Sequence, residues 1–240
     1  MTDENYSFAD NLNAPAEDAY RSLMVNVQYC KSDRDIRTLA ITSCICGEGK
    51  TTTAGNLAAA MARHGMRVLF VDADMRKPMF MKQFGYMNSK GLSNYLLGDN
   101  SLESVTKDTN IPGLHFIPCG PVPSKPLKLI ESQRFRDLLK AAEAQYDMVI
   151  FDTPPLGSVI DSAVIAAQTD GTAIVIQSKS IEPQRVLRIK EQLEKVNANV
   201  LGVILTKVRK DDYVKHCGYF GYYGSKRMFR RKLFKKMKKG

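Results

Sequence analysis

An apolar run, Thr38–Ser43, ends in the segment CICGEGKTTT, and a helical pattern follows without a gap. The order strand, glycine turn, Lys-Thr, helix matches the ending G-K-[ST] of a phosphate-binding loop. A loop of this kind aims the backbone N–H groups of Gly47, Glu48, Gly49, Lys50 and Thr51 at one point. The positive end of the following helix dipole faces the same point. Lys50 is expected to reach the terminal phosphates, the Thr51 hydroxyl to ligate magnesium, and Thr52 to complete the nucleotide-binding set. Cys44 stands where the general pattern has its first glycine, so the match is incomplete.

The rest of the chain supplies a setting for that loop. Strand-like apolar runs are predicted at residues 38–43, 67–72, 114–118, 147–152, 172–177 and 199–206. Helical patterns are predicted at 15–31, 51–64, 127–145, 161–168 and 183–196, with Gly65 as a C-terminal cap. Strands alternating with helices predict an α/β fold, a mostly parallel central sheet with helices on both faces. A chain of 240 residues with 44% hydrophobic content is enough for one core, and the Pro-rich GPVPSKP reads as a loop within it. The expected division is a polar, disordered stretch at 1–14, the nucleotide-binding domain at 15–208, a tyrosine cluster at 209–224 and a basic tail at 225–240.

Charge and cysteine usage narrow the function classes. Of the formal net charge of +10, nine units lie in the acid-free residues 225–240, leaving a near-neutral domain. That distribution argues against a surface built for nucleic acid. The five cysteines are scattered, Cys44 and Cys46 lack the paired spacing of a zinc site, and the N-terminus MTDENYSFADN does not read as a secretory signal. Reduced thiols and a cytoplasmic location are expected. No apolar run approaches the ~18 residues needed to cross a membrane.

Two further segments carry carboxylates. VLFVDADMRKP places Asp72 and Asp74 at the end of a strand, where a period of two would point them the same way. Such a pair beside a phosphate loop suits metal positioning and proton abstraction from an attacking hydroxyl. Arg76 and Lys77 are expected to neutralise phosphate charge. MVIFDTPP ends another strand in Asp152, the acid that holds magnesium directly or through water in nucleotide hydrolases.

Taken in order, the loop ending GEGKT, then DADMRKP, then FDTPP resembles the bacterial tyrosine kinase family, P-loop proteins unrelated to eukaryotic kinases. The resemblance spans most of residues 17–224 and includes AYRSLMVNV, GLSNYLLGD and GPVPSKP. It implies a P-loop NTPase fold, ATP and Mg2+ as cofactors, and catalytic roles for Lys50, Asp72 and Asp74. It also implies metal ligation by Thr51, Asp72 and Asp152, and phospho-acceptors among Tyr213, Tyr219, Tyr222 and Tyr223. The expected activity is autophosphorylation of that cluster, in control of capsular or extracellular polysaccharide synthesis. A separate transmembrane activator is the expected partner, at the inner face of the plasma membrane.

The chain departs from the family pattern at several points. Cys46 replaces a proline that stiffens the loop. The ring-assembly motif E-x-x-R-x-x-R aligns with Asp18, Arg21 and Met24, so Asp18 and Arg21 are the expected self-association residues while ring or dimer stays open. Thr206 replaces an asparagine that reads adenine. The alternative class is a ParA/MinD-like positioning ATPase without tyrosine transfer, which carries an extra lysine early in the loop; ITSCICGEG has none. A weakly catalytic protein that only docks to an activator is a third reading.

The tail has its own expectations. Phe229, Leu233 and Met237 recur every four residues among the nine cations, a pattern suited to an anionic membrane surface. Each phosphotyrosine would add about −1.5 to −2 charges against them. Thirteen residues separate Thr206 from Tyr219, about 43 Å when extended, enough to reach a neighbouring subunit.

Overall fold

The computed structural model describes residues 12–30, 35–78 and 89–209. In chain order its elements are α1 (Ala14–Gln28), β1 (Thr38–Ser43), α2 (Lys50–Arg63), β2 (Val68–Asp72), α3 (Leu92–Leu97), α4 (Leu102–Val105), β3 (Lys107–Asp108) and β4 (Leu114–Ile117). They continue with α5 (Pro126–Ile130), α6 (Gln133–Gln145), β5 (Met148–Asp152), α7 (Asp161–Ala166), β6 (Gly171–Gln177), α8 (Pro183–Lys195) and β7 (Val200–Thr206). One sheet runs in the order β3-β4-β2-β5-β1-β6-β7, parallel except where β3 meets β4.

The strands next to the centre are apolar at nearly every position because both faces of the sheet are covered. In β1, β2 and β5 every residue is buried. Alternate side chains enter two cores. Leu39, Ile41, Phe70 and Ile150 face α1 and α2, while Ala40, Leu69, Val71 and Phe151 face α6, α7 and α8. The Phe70 and Phe116 rings stack at 5.5 Å on the first side, and Phe135 meets Phe151 at 5.7 Å on the second. Small residues let α2 lie close on the sheet, with Ala54, Gly55, Ala58, Ala59 and Ala62 all buried.

Helix starts follow local chemistry. Asn13 accepts the Ala16 N–H at 3.1 Å and so caps α1. The helix expected over 127–145 is two helices, because the Ser132 hydroxyl caps a new start by accepting the Phe135 N–H at 3.4 Å. The short α3, α4 and antiparallel β3 carry too little periodicity to be foreseen. Residues 1–11, the tyrosine cluster and the basic tail lie outside the described residues, as do the expectations placed on them.

All parallel strands end at one edge of the sheet, and the loops there meet. Chain order makes that edge the crevice where open α/β sheets bind ligands. Gly157 shows how tightly its parts fit, since a Cβ there would lie 2.2 Å from the Cys44 carbonyl oxygen. Gly157→Ala is therefore expected to destabilise the fold by about 1–3 kcal/mol. Thermal melting with and without ATP checks this, and a loss of nucleotide-induced stabilisation is expected beside the lowered midpoint.

Candidate nucleotide and phosphoryl-transfer site

The phosphate loop leaves β1 at Ser43 and closes at Gly49, the N-cap of α2. Gly47 and Gly49 have φ of 81° and 90°, a region that strains residues with a Cβ. Gly49 offers no side-chain cap, so the opening N–H groups of α2 have neither a helical acceptor nor a cap. Glu48 is turned inward: its carboxylate accepts the Ile45 N–H at 2.8 Å and the Gln177 N–H at 3.3 Å. From β7, the Thr206 hydroxyl donates to the Glu48 carbonyl at 2.5 Å. The Lys207 ammonium donates to the Gly47 carbonyl at 2.9 Å and to the Gln177 side chain at 2.7 Å. These bonds fasten the loop to the ends of β6 and β7, and they hold it where a proline is lacking at Cys46, which is exposed. Cys44, at the position of the missing first glycine, points into the core. Burial, then Glu48, pushes its thiol up to about 11.

Lys50 opens α2 and is buried, with its ammonium 2.7 Å from Asp152 Oδ1 and 3.4 Å from the Thr51 hydroxyl. Burial alone would lower its pKa, but the Asp152 contact, with Asp74 and Asp72 nearby, raises it above the usual lysine range. Asp72 and Asp152 are register partners on adjacent strands. Asp72 Oδ2 is buried and has no hydrogen-bond partner. Burial first, then the Asp152 charge, holds the Asp72 carboxyl well above the usual carboxylate range, with Lys50 opposing. Asp74 is raised too, chiefly by burial, while the Lys77 N–H works the other way.

The closeness of Asp72 and Asp74 has a different origin from strand alternation. β2 stops at Asp72, and the chain then turns, with the Asp74 N–H donating to Asp72 Oδ1 at 3.2 Å. Asp74 Oδ1 in turn accepts the Lys77 N–H at 3.0 Å and the Arg76 N–H at 3.3 Å. The structure also corrects the role expected of Arg76. Its guanidinium is committed to Asp161, with Nε 2.7 Å from Oδ2 and Nη2 2.9 Å from Oδ1.

Sequence reasoning thus named Gly47, Glu48, Gly49, Lys50, Thr51, Thr52, Asp72, Asp74 and Asp152, and the fold brings them to one edge. It missed Gln177 and Lys207, the hold of Thr206 on the loop, and Asp161. Their partners lie 129, 160, 158 and 85 residues away, so no local spacing marks them. Asp18 and Arg21 are exposed on α1, but Met24, at the third position of the motif, is buried against α2.

The donors fit magnesium held jointly with phosphate. Thr51, Asp72 and Asp152 offer hard oxygens, and Asp72 Oδ2 is an unused acceptor. Among the described residues no group of three or more His, Cys, Asp or Glu could hold a metal by itself. Magnesium typically takes one or two carboxylates and completes its shell with phosphates and water. Beside the loop, a cavity of about 570 Å³ between α1, α2 and β7 is lined by Tyr20, Leu23, Thr52, Leu205 and Thr206 among others. Its size is that of a small-molecule site.

Comparison with known proteins agrees with this geometry. The AAA domain family profile matches residues 36–204. The chain is 38% identical over 213 residues to tyrosine-protein kinase YwqD of Bacillus subtilis (strain 168), covering 89% of this chain and 88% of the relative. It is 38% identical over 211 residues to tyrosine-protein kinase CpsD of Streptococcus agalactiae, covering 88% and 90%. Among solved structures, the kinase domain of Escherichia coli tyrosine kinase ETK superposes with a TM-score of 0.77 at 33% identity, over 81% of this chain and 76% of that one. MinD of Pyrococcus horikoshii OT3, at 24% identity and a TM-score of 0.60 over 70% and 69%, shares the fold alone.

The raised Asp72 carboxyl gives a stability test with a definite sign. Folding disfavours its charged form, so the cost is full above the folded pKa and vanishes below the unfolded value of about 4. Asp72→Asn is expected to stabilise the fold by about 1 kcal/mol or more at neutral pH. The gain is expected to shrink as pH falls toward 4, and the same variant is expected to lose phosphoryl transfer. Urea unfolding of both proteins across that range, with an activity assay at neutral pH, reads both effects.

Proposed function

This chain belongs to the bacterial tyrosine-protein kinase family, and from that membership we propose that it phosphorylates its own C-terminal tyrosines in control of capsular or extracellular polysaccharide synthesis. It is a protein-tyrosine kinase with a P-loop NTPase fold. The observation that carries the reading is the buried Lys50–Asp152 pair beside the unpartnered Asp72 Oδ2, at the mouth of the phosphate loop.

The proposed division of labour follows from those groups. The N–H groups of Gly47, Glu48, Gly49, Lys50, Thr51 and Thr52 hold the triphosphate of ATP, and Lys50 offsets charge on its outer phosphates. Thr51, Asp72 and Asp152 hold Mg2+, which when bound neutralises phosphate charge. Asp74, whose raised pKa makes it a better base than an exposed carboxylate, accepts the proton of the tyrosine hydroxyl. The tyrosine oxygen forms a bond to the γ-phosphorus, the bond to the bridging oxygen breaks, and ADP leaves. The cavity bounded by Tyr20, Leu23 and Leu205 receives the nucleoside end.

The acceptors are Tyr213, Tyr219, Tyr222 and Tyr223. A transmembrane activator of polysaccharide export is the proposed partner, with self-association through α1 around Asp18 and Arg21. The basic residues of 225–240 contact an anionic membrane at the cytoplasmic face. The support for these assignments is the resemblance over residues 17–224 and the charge pattern of the tail.

Incubation of the full chain with ATP and magnesium, followed by mass-spectrometric mapping, tests the reading. Phosphate is expected on the four tyrosines and absent in Lys50→Met. If the protein is silent, the cytoplasmic end of a candidate activator is added before scoring. Steady phosphate release over unmodified tyrosines would replace the proposal with a positioning ATPase.

A further inference from the structure

Asp161 has no part in the scheme above, yet its carboxylate is 2% exposed and both its oxygens are used by one guanidinium. It opens α7, and the base of that helix is bound to the strands of the site. The Pro154 carbonyl accepts the Ser162 hydroxyl, and it also accepts the Thr42 hydroxyl of β1 at 3.0 Å. Thr153, next to Asp152, donates its hydroxyl to the Ile41 carbonyl at 3.0 Å. Asp161 is therefore mounted on the same framework as Asp152.

The loop carrying Asp74 is mounted less firmly. After Asp72 the chain makes one more bond across to β5, from the Ala73 N–H to the Asp152 carbonyl at 2.9 Å. The next bonds are local, from Met75 N–H to Ala73 at 3.0 Å and from Arg76 and Lys77 N–H to Asp74 itself. Such bonds shape the turn, and the buried Ala73 and Met75 side chains pack its start on the core, but among the described residues no further backbone bond ties it to the sheet. The Arg76 guanidinium supplies a fixed anchor, because a bidentate arginine–carboxylate contact defines both distance and orientation.

We propose that Asp161 is a positioning residue for tyrosine phosphorylation, acting with Arg76 as a latch that fixes residues 73–77 to α7 and so aims Asp74 at the acceptor hydroxyl. The inference rests on the role given to Asp74 above. It differs from a purely structural ion pair in what each substitution should do. With Arg76 partly exposed, the pair itself adds little stability. Removing Arg76 strands a buried carboxylate, whereas Asp161→Asn removes that charge in nearly the same volume. Stability losses should be unequal, and losses in transfer rate should match.

The full chain is compared as wild type, Asp161→Asn, Arg76→Gln and the double variant, for kcat of tyrosine phosphorylation, ATP affinity and amide exchange. Each single change is expected to lower kcat about 10- to 100-fold, as a small misplacement of a reacting group does, with ATP Kd within about two-fold. The double variant should be no slower than Arg76→Gln. Amides of residues 73–77 should exchange about ten-fold faster in Asp161→Asn, with those of β1 unchanged. A kcat within about two-fold of wild type, a parallel loss of ATP affinity, single losses that multiply, or unchanged exchange overturns the latch. A wild-type chain that transfers no phosphate even with the cytoplasmic end of the activator added sinks the kinase scheme instead, and the exchange comparison still decides the latch.

Discussion

One buried ammonium organises the site. Lys50 is fixed by its place at the start of α2, and its charge is answered by Asp152 at 2.7 Å with Asp72 and Asp74 nearby. Three elements that are distant in sequence must end at the same depth for this to happen. The parallel register of β2 and β5 sets Asp72 beside Asp152, and β1, on the other side of β5, delivers the loop and Lys50. A slip of one residue would send either carboxylate to the opposite face. The apolar faces of these strands enforce the register, so core packing and catalytic geometry are one constraint.

The phosphate loop illustrates how a motif tolerates lost consensus residues. A first glycine is needed only if the side chain there would meet the ligand or a neighbour, and Cys44 escapes both by entering the core. The proline missing at Cys46 would have restricted the backbone locally. In this chain the restriction comes from the inward-turned Glu48 and from outside the loop, through Gln177, Thr206 and Lys207. Lys207 even holds a left-handed backbone at φ 51°, a conformation uncommon for lysine. Because the Thr206 hydroxyl already donates to Glu48, Thr206 is first of all a fastener of the loop.

What was legible in the sequence was whatever is local. Strand runs, the glycine turn and the acids at strand ends follow from periodicity and from residue chemistry, and the fold places them as expected. Besides the long-range fasteners of the loop, two features near the acids were not legible. Asp74 lies near Asp72 because the chain turns there, and alternation suggested the right neighbour for the wrong reason. Arg76, with Lys77, looked placed to neutralise phosphate charge, but its guanidinium pairs with a carboxylate 85 residues onward. A long-range ion pair depends on where two loops land, and no window along the chain contains that information. Met24 is a milder case, since helical periodicity already places it with Leu23 and Val27 on the inner face of α1.

Charge arithmetic explains why such a site handles nucleotide together with a divalent cation. Three carboxylates and one ammonium leave the pocket negative when all are ionised, and a triphosphate adds more negative charge. Burial magnifies that repulsion, since the low-dielectric interior screens it poorly. The folded protein answers by holding Asp72 and Asp74 above their usual pKa values. A doubly charged cation held by these carboxylates would offset the same repulsion without a proton. The electrostatic cost of gathering these carboxylates at one edge is thus one that a bound cation would relieve.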